Sequence, residues 1–352
     1  MIAIPLEPID AVTITTLVEN VYDTFMPDQG PARRWGPVSA RGRLATASMV
    51  NGFVPDLPVA EHGFSALLEI QRQDRTRRLL FDLGISPNGM VENMRRLDLD
   101  PKDVEVVVCS HGHFDHTAGL EGLARYLGRA NLPVIIHPEF WNRRRLVVRG
   151  LEPQEMPTTS RAALEGVGFT IIEDRQPSFL LDGSVLVSGE VPRVTGYEPG
   201  FPLQEAWRSD HWEPDPLVLD DQAIVLHVRD EGLVVLTGCG HAGVVNTVRY
   251  ARALTGVDRV CAILGGFHLN GPLFEPLIGR VCTDLIEMRP TWIVPGHCTG
   301  WRAQHAMGRL FGASFIPNCV GTRLTLGTPS PDGSHVRPQA SGEADVSSNV
   351  LD

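Results

Sequence analysis

The chain has 352 residues, 43% of them apolar and 21% charged, the balance of a globular protein long enough for one large or two ordinary domains. A net charge of −11 speaks against nucleic acid or an anionic membrane as partner, since both demand a basic face. It leaves room for a small anionic substrate, because a bound metal dominates its local field.

No apolar run approaches a membrane span, and Met1 to Glu7 lacks the basic start and apolar core of a signal peptide. Cys109, Cys239, Cys261, Cys282, Cys298 and Cys319 are scattered without a CxxC pair. Both features lead us to expect a reduced, cytoplasmic protein rather than a disulfide framework.

In chain order, Ala11 to Val18 is β-branched and alternating and reads as a first strand. Asn20 to Gly42 is polar and broken by Pro27, Gly30, Pro31 and Gly36, a long loop of the functional or disordered kind. Ala66 to Ile70 reads as a strand, Gln71 to Arg78 as a charged turn, and Leu79 to Phe81 as a short strand ending in Asp82. Met90, Val91, Met94 and Leu97 place one apolar face on a helix over 88–97. Val104 to Cys109 is a buried strand.

Directly after it, the stretch from Ser110 to Gly119 packs His111, His113, Asp115 and His116 into six positions. These side chains sit at the carboxyl end of a strand, where open α/β sheets place their chemistry. Imidazole and carboxylate together suit zinc, iron or manganese. In an extended loop His111 and His113 point the same way, because side chains alternate with period two. Asp115 and His116 turn toward a neighbouring point, so one short loop can serve two ions.

Leu120 to Leu127 has helical spacing, and Leu132 to Pro138 is a strand ending at His137. Arg143, Arg144, Arg145 and Arg149 read as a solvated face, with an anion clamp as the alternative. A helix over 160–167 and strands over 169–173 and 184–188 follow. Thr195 to Pro216, rich in Pro, Glu and Trp, reads as a lid or insertion. A hairpin over 223–236 ends in Thr237-Gly238-Cys239-Gly240-His241, before a helix over 244–254. The strand Val260 to Leu264 ends in Gly265-Gly266-Phe267-His268, before a helix over 273–288. Trp292 to Val294 ends in Pro295-Gly296-His297, before a helix over 303–311, and Arg323 to Leu326 is a last strand. Residues 329–352 are poor in apolar side chains and read as a disordered tail, leaving 1–328 as one catalytic domain. Two such halves predict an α/β fold, a four-layer αββα sandwich of two facing sheets with helices outside.

His111, His113, His241, His268 and His297 all follow a short apolar strand and precede a helix, so they converge at one sheet edge. A two-metal site needs about three protein ligands per ion. His111, His113 and His241 can hold one ion, and Asp115, His116 and His297 the other. Asp82 suits either orienting a ligand histidine or binding a metal. His62 and His268 are substrate contacts, proton donors or satisfied buried imidazoles. Cys239 is read as a small packing residue first and a ligand second.

The run His111-x-His113-x-Asp115-His116, with Asp82 upstream and Pro295-Gly296-His297 downstream, resembles the metallo-β-lactamase superfamily. Glu61-His62-Gly63, Thr237 to Gly243, Gly265 to Leu269 and His297-Cys298-Thr299-Gly300 are similar to the branch named for 7,8-dihydropterin-6-methyl-4-(β-D-ribofuranosyl)aminobenzene 5′-phosphate synthase. Two departures stand out. No aspartate occupies the strand end that usually supplies a bridging ligand, which here reads Thr-Gly-Cys-Gly-His. Asp220-Asp221-Gln222 stands where a third histidine is usual, so Cys239, His241 and Asp221 are each open as replacements.

The resemblance implies two divalent ions, zinc first, with iron or manganese as alternatives. It implies hydrolysis of a small phosphate ester, lactone or related molecule by a metal-bound hydroxide. Asp115 would then orient the nucleophile and His268 donate a proton. Two other readings stand beside it: the dihydropterin-methyl transfer that the branch name implies, and a metal-stabilised binding protein without turnover.

Overall fold

The computed structural model describes residues 5–36 and 42–329. The early loop therefore falls partly, and the expected tail almost wholly, outside the described residues. Two sheets face each other. The first has eight strands, in the order Thr170–Glu173, Pro133–Ile136, Val106–Val108, Arg75–Phe81, Ser65–Arg72, Ala11–Val18, Arg323–Gly327 and Ala32–Arg33. The second has six: Ser178–Leu180, Val185–Val187, Ile224–Val228, Gly232–Thr237, Val260–Gly266 and Trp292–Gly296. Each is antiparallel on one side and parallel on the other. Arg75–Phe81, Val106–Val108, Pro133–Ile136 and Thr170–Glu173 run parallel in the first. Gly232–Thr237, Val260–Gly266 and Trp292–Gly296 do so in the second.

The period-two alternation of the strands builds three apolar layers. Leu68, Ile70, Leu79 and Phe81 point between the sheets and meet Ile224, Leu226, Leu236 and Leu264. Their neighbours Leu67 and Leu80 point outward, onto Met90, Met94, Leu120 and Leu123 of the helices Gly89–Arg96 and Leu120–Leu127. On the far side Val235, Ile263 and Ile293 meet Val248, Leu285 and Met307 of the helices Val244–Thr255, Ile278–Glu287 and Trp301–Phe311. This is the expected four-layer αββα sandwich. No helix among the described residues is long and apolar enough to cross a membrane. All six cysteines are free.

Several elements differ from the sequence reading. The charged turn is only two residues long, because Ser65–Arg72 and Arg75–Phe81 pair up to Arg72↔Arg75. Arg77 and Arg78 can sit on a strand because Glu105 and Glu69 lie within 2.6 and 3.1 Å of them. The loop from Ser110 to Gly119 is not extended throughout: Phe114–Thr117 is a helical turn carrying Asp115 and His116. The segment 195–216 contains the hairpin Gln204–Arg208 and His211–Pro214, which joins Arg144–Leu146 and Gln154–Glu155 in a separate four-stranded sheet. The C-terminal part of the expected helix over 273–288 is helical, after a 3₁₀ turn at Glu275–Leu277 that contains Pro276.

The basic cluster also divides. Arg143 and Arg145 pair with Glu155 and Glu205 and lie against Trp212. Arg144 is not solvated: it is 2% exposed, between Asp215 and Asp220. A buried guanidinium needs this pairing, since desolvation otherwise outweighs any gain.

Leu236 is fully buried between the sheets. Leu236→Ala is expected to lower unfolding stability by about 2–5 kcal/mol, read as a lower urea midpoint at unchanged slope.

Candidate metal centre

The parallel strands of both sheets end at one place. Val106–Val108 leads to His111, His113, Asp115 and His116. Gly232–Thr237 leads to Cys239 and His241, Val260–Gly266 to His268, and Trp292–Gly296 to His297. Three non-glycine residues at these ends take left-handed backbone, Asp82 at φ 54°, His268 at 46° and His297 at 48°. Such conformations cost about 1–3 kcal/mol each and persist only where surroundings enforce them. At His297 the N–H donates to Glu19 Oε1 at 2.8 Å and the carbonyl accepts from Asn20 Nδ2 at 3.1 Å. Gly238 admits no side chain, because a Cβ there would lie 2.6 Å from Asp82 Oδ2.

Hydrogen bonds on the outer ring nitrogens determine which nitrogen faces inward. Ser110 Oγ donates its single proton to Asp82 Oδ2 at 2.7 Å, so it accepts from His111 Nδ1 at 2.8 Å. The His111 lone pair is therefore on Nε2. Gln204 Nε2 donates to Asp215 Oδ2 at 3.0 Å, so Gln204 Oε1 accepts from His113 Nε2 at 2.6 Å. The His113 lone pair is therefore on Nδ1. These two bare nitrogens face each other at 2.9 Å. His241 adds a third ring, centred 4.9 and 5.0 Å from the other two, with both of its buried nitrogens lacking any partner. Three buried lone-pair donors aimed at one point fit a cation.

A second group adjoins the first. His116 Nδ1 bonds Asp82 Oδ2 at 2.7 Å, which turns its Nε2 toward Cys239 Sγ at 3.2 Å and Asp115 Oδ2 at 3.6 Å. His297 Nε2 lies 3.3 Å from both Cys239 Sγ and Asp115 Oδ2. The donor atoms of Asp115, His116, Cys239 and His297 all lie within 4.8 Å of one another, as do those of His111, His113 and His241. Cys239 and His241 also form a third such group with His268, so the two clusters touch.

Burial pushes His113 down to about 4, helped by the nearby Arg144 charge, and drives His111 and His241 well below the usual imidazole range. All three stay neutral, as ligands must be. Burial opposes charge on His116 too, but Asp115 and Asp82 outweigh it and raise it to about 9. Against the same burial, the His116 and His297 charges hold Asp115 well below the carboxylate range. Burial also lifts the Cys239 thiol, so its thiolate form calls for a cation beside it.

The structure thus brings together all six expected candidate ligands and sets beside them Cys239, read from sequence as packing first and as a ligand second. Both oxygens of Asp82 are taken, by Ser110 and by His116, which makes it an orienting group. His62 sits at the mouth with its side chain 62% exposed and Nε2 3.5 Å from Asp115 Oδ2. His268 packs 4.2 Å from the His241 ring, with a buried Nδ1 lacking a partner. Asp221 joins none of the three groups and accepts from Ala242 N at 2.8 Å. Sequence reasoning missed Glu19, Asn20, Ser110, Phe201 and Gln204. Phe201 stacks on His241 with centroids 5.5 Å apart. Only Ser110, next to the motif and hydroxylated, carried a local signal.

Asp82→Asn puts an amide against a donor on one side, so a loss of about 10–100-fold in metal affinity is expected, measured by competition with a chromophoric chelator. Burial raises Asp221 to about 6. Folding then favours its neutral form, so this group's contribution falls as pH rises from about 4 through 6. Asp221→Asn keeps an acceptor for Ala242 and abolishes this titration. Between pH 4 and pH 7 the parent should therefore lose about 1–3 kcal/mol more stability than the variant, read by denaturant titration of metal-free protein at the two pH values.

Residues 60–255, more than half of the chain, match the metallo-beta-lactamase superfamily. The chain is 28% identical over 264 residues to the 7,8-dihydropterin-6-methyl-4-(β-D-ribofuranosyl)-aminobenzene-5′-phosphate synthase of Methanocaldococcus jannaschii, spanning 73% of this chain and 87% of that protein. It is 30% identical over 267 residues to the uncharacterized protein MJ0448 of the same organism, spanning 74% of this chain and 92% of that protein. The crystal structure of Tm1679, a metal-dependent hydrolase of the β-lactamase superfamily, has the same fold, with a TM-score of 0.66 at 22% identity over 91% of this chain and 100% of that one. With its paired sheets and its His-x-His-x-Asp-His strand end, this chain belongs to the metallo-β-lactamase superfamily.

Proposed function

We propose that the protein is a hydrolase of a small phosphate ester, lactone or related molecule, dependent on two divalent ions. The observation that carries this reading is the pair of adjoining donor clusters, one of three neutral imidazoles and one containing Asp115 and Cys239. The thiolate and imidazole donors favour zinc over harder ions. Ions held there would supply Lewis acidity toward an ester oxygen and toward water.

The protein's own groups account for the rest. Asp115 Oδ2, 3.3–3.6 Å from His62, His116 and His297, accepts a hydrogen bond from the attacking water and fixes its direction. His62 is the exposed member of that set and binds the substrate's polar head. His268, beside His241, is placed to protonate the leaving oxygen. Phe201 packs on His241 and His268 and covers the three-histidine side, so the substrate enters from the side of the exposed His62.

Prolonged treatment with a strong chelator is expected to abolish ester or lactone hydrolysis, and zinc to restore it. Activity surviving full demetallation, checked by metal analysis, would overturn the reading. A second reading is favoured by the M. jannaschii relative, whose name is that of a synthase. Supplied with a pterin methyl diphosphate and an arylamine, a transferase yields the coupled product and a hydrolase the free pterin alcohol.

A further inference from the structure

Gln204 is the one residue of the inserted hairpin that hydrogen-bonds a candidate ligand among the described residues. It is 1% exposed, and its strand belongs to neither main sheet. Its amide could in principle present either face to His113. Asp215 decides which, because a carboxylate accepts only: Gln204 Nε2 must point at Asp215 Oδ2, 3.0 Å away. A flipped amide would set two acceptors against each other there and two donors against a protonated ring nitrogen.

Asp215 is itself fixed. Its Oδ2 accepts from Arg144 Nε at 3.1 Å, and its Oδ1 from Arg208 Nη2 at 3.0 Å. Arg144 continues to Asp220 Oδ2 at 3.0 Å, and that oxygen accepts from Gly112 N at 2.8 Å, between the two ligand histidines. The buried charges thus grip the metal-binding loop twice, at the Gly112 backbone and at the His113 ring.

We propose that Gln204 is a positioning residue that selects Nδ1 of His113 as the cation-facing nitrogen, so that the inserted hairpin sets how tightly the three-histidine cluster holds its ion. This rests on the metal reading above. Outer partners of ligand histidines commonly govern ring orientation and basicity, and their loss weakens binding about 10–100-fold. The second cluster has no bond to the hairpin, because its outer contacts run to Asp82, Glu19 and Asn20.

The test uses the full chain with three variants: Gln204→Leu, of similar size without an acceptor; Gln204→Glu, which keeps the acceptor toward His113 and, protonated on its other oxygen beside Asp215, keeps the donor as well; and Glu205→Gln, one residue away and paired with Arg145 instead. Zinc is titrated against a competing chelator, bound zinc is counted, and histidine nitrogens are observed by NMR in the zinc-loaded protein. We expect Gln204→Leu to weaken one of two zinc ions about 10–100-fold and leave the other unchanged. We also expect parental His113 to show a protonated Nε2 that the variant loses. Gln204→Glu should retain most of the affinity, and Glu205→Gln all of it.

Unchanged zinc affinity in Gln204→Leu would overturn the proposal. So would equal weakening of both ions, a matching loss in Glu205→Gln, or a His113 bound through Nε2 in the parent. If Gln204→Leu fails to fold, failure of Gln204→Glu to hold both ions overturns it instead. Failure of the parent protein to bind zinc or any other divalent ion would overturn the metal reading itself, a result separate from all of these.

Discussion

Two imidazole lone pairs aimed at each other across 2.9 Å, on His111 Nε2 and His113 Nδ1, are the constraint on which the rest of the site depends. Both rings are buried, so water does not screen the repulsion. Neither ring can relieve it by moving its proton, because Ser110 and Gln204 already hold those protons outside. Burial and neighbouring charges also keep both rings neutral. A cation held between them would turn that opposition into ligation, and its binding would then be coupled to the stability of the fold.

The two-sheet architecture exists, in this respect, to hold that contact in place. Parallel strands from both halves end side by side, and their last residues take backbone conformations the chain would not choose alone. The left-handed turns at Asp82, His268 and His297 are enforced by the packed strands before them and by hydrogen bonds after them. Asp82 shows how much one position does. It accepts from Ser110 twice and from His116 once, and so orients a ligand in each cluster. It has no exposed surface.

How much of this was legible in the sequence follows from where each signal lies. The four candidate ligands from His111 to His116 are visible because they share one short stretch after a β-branched strand. His241 and His297 are visible through recurrence: strand, glycine, histidine, helix. The αββα layering follows from two halves that each run from strands into strand–helix units. Arg144 was misplaced because three neighbouring arginines hide the one that turns inward, and nothing local marks its partners Asp215 and Asp220. Cys239 was undervalued because a buried free cysteine is ordinarily packing. Gln204 and Glu19 lie 91 and 278 residues from the histidines they hold, in segments with no periodic pattern pointing there.

The outer contacts also divide the site into unequal halves. His116 and His297 lean on Asp82, Glu19 and Asn20, all at the ends of the first sheet's strands or just beyond them. Loosening those contacts would disturb the core strands themselves. His111 shares that support through Ser110. His113 does not: its outer bond goes to Gln204, in a four-stranded sheet that is separate from the two main sheets and joined to the His111–His116 loop through the buried pair of Arg144 with Asp220. An ion pair tolerates change in one direction only. Its gain nearly cancels its desolvation while intact, and losing one partner is expensive. The three-histidine cluster is thus mounted partly on a peripheral element whose attachment is all-or-none, and the Asp115–Cys239 cluster on the core. Variation in the insertion can tune the first cluster without touching the second, whereas variation in the core strands reaches both.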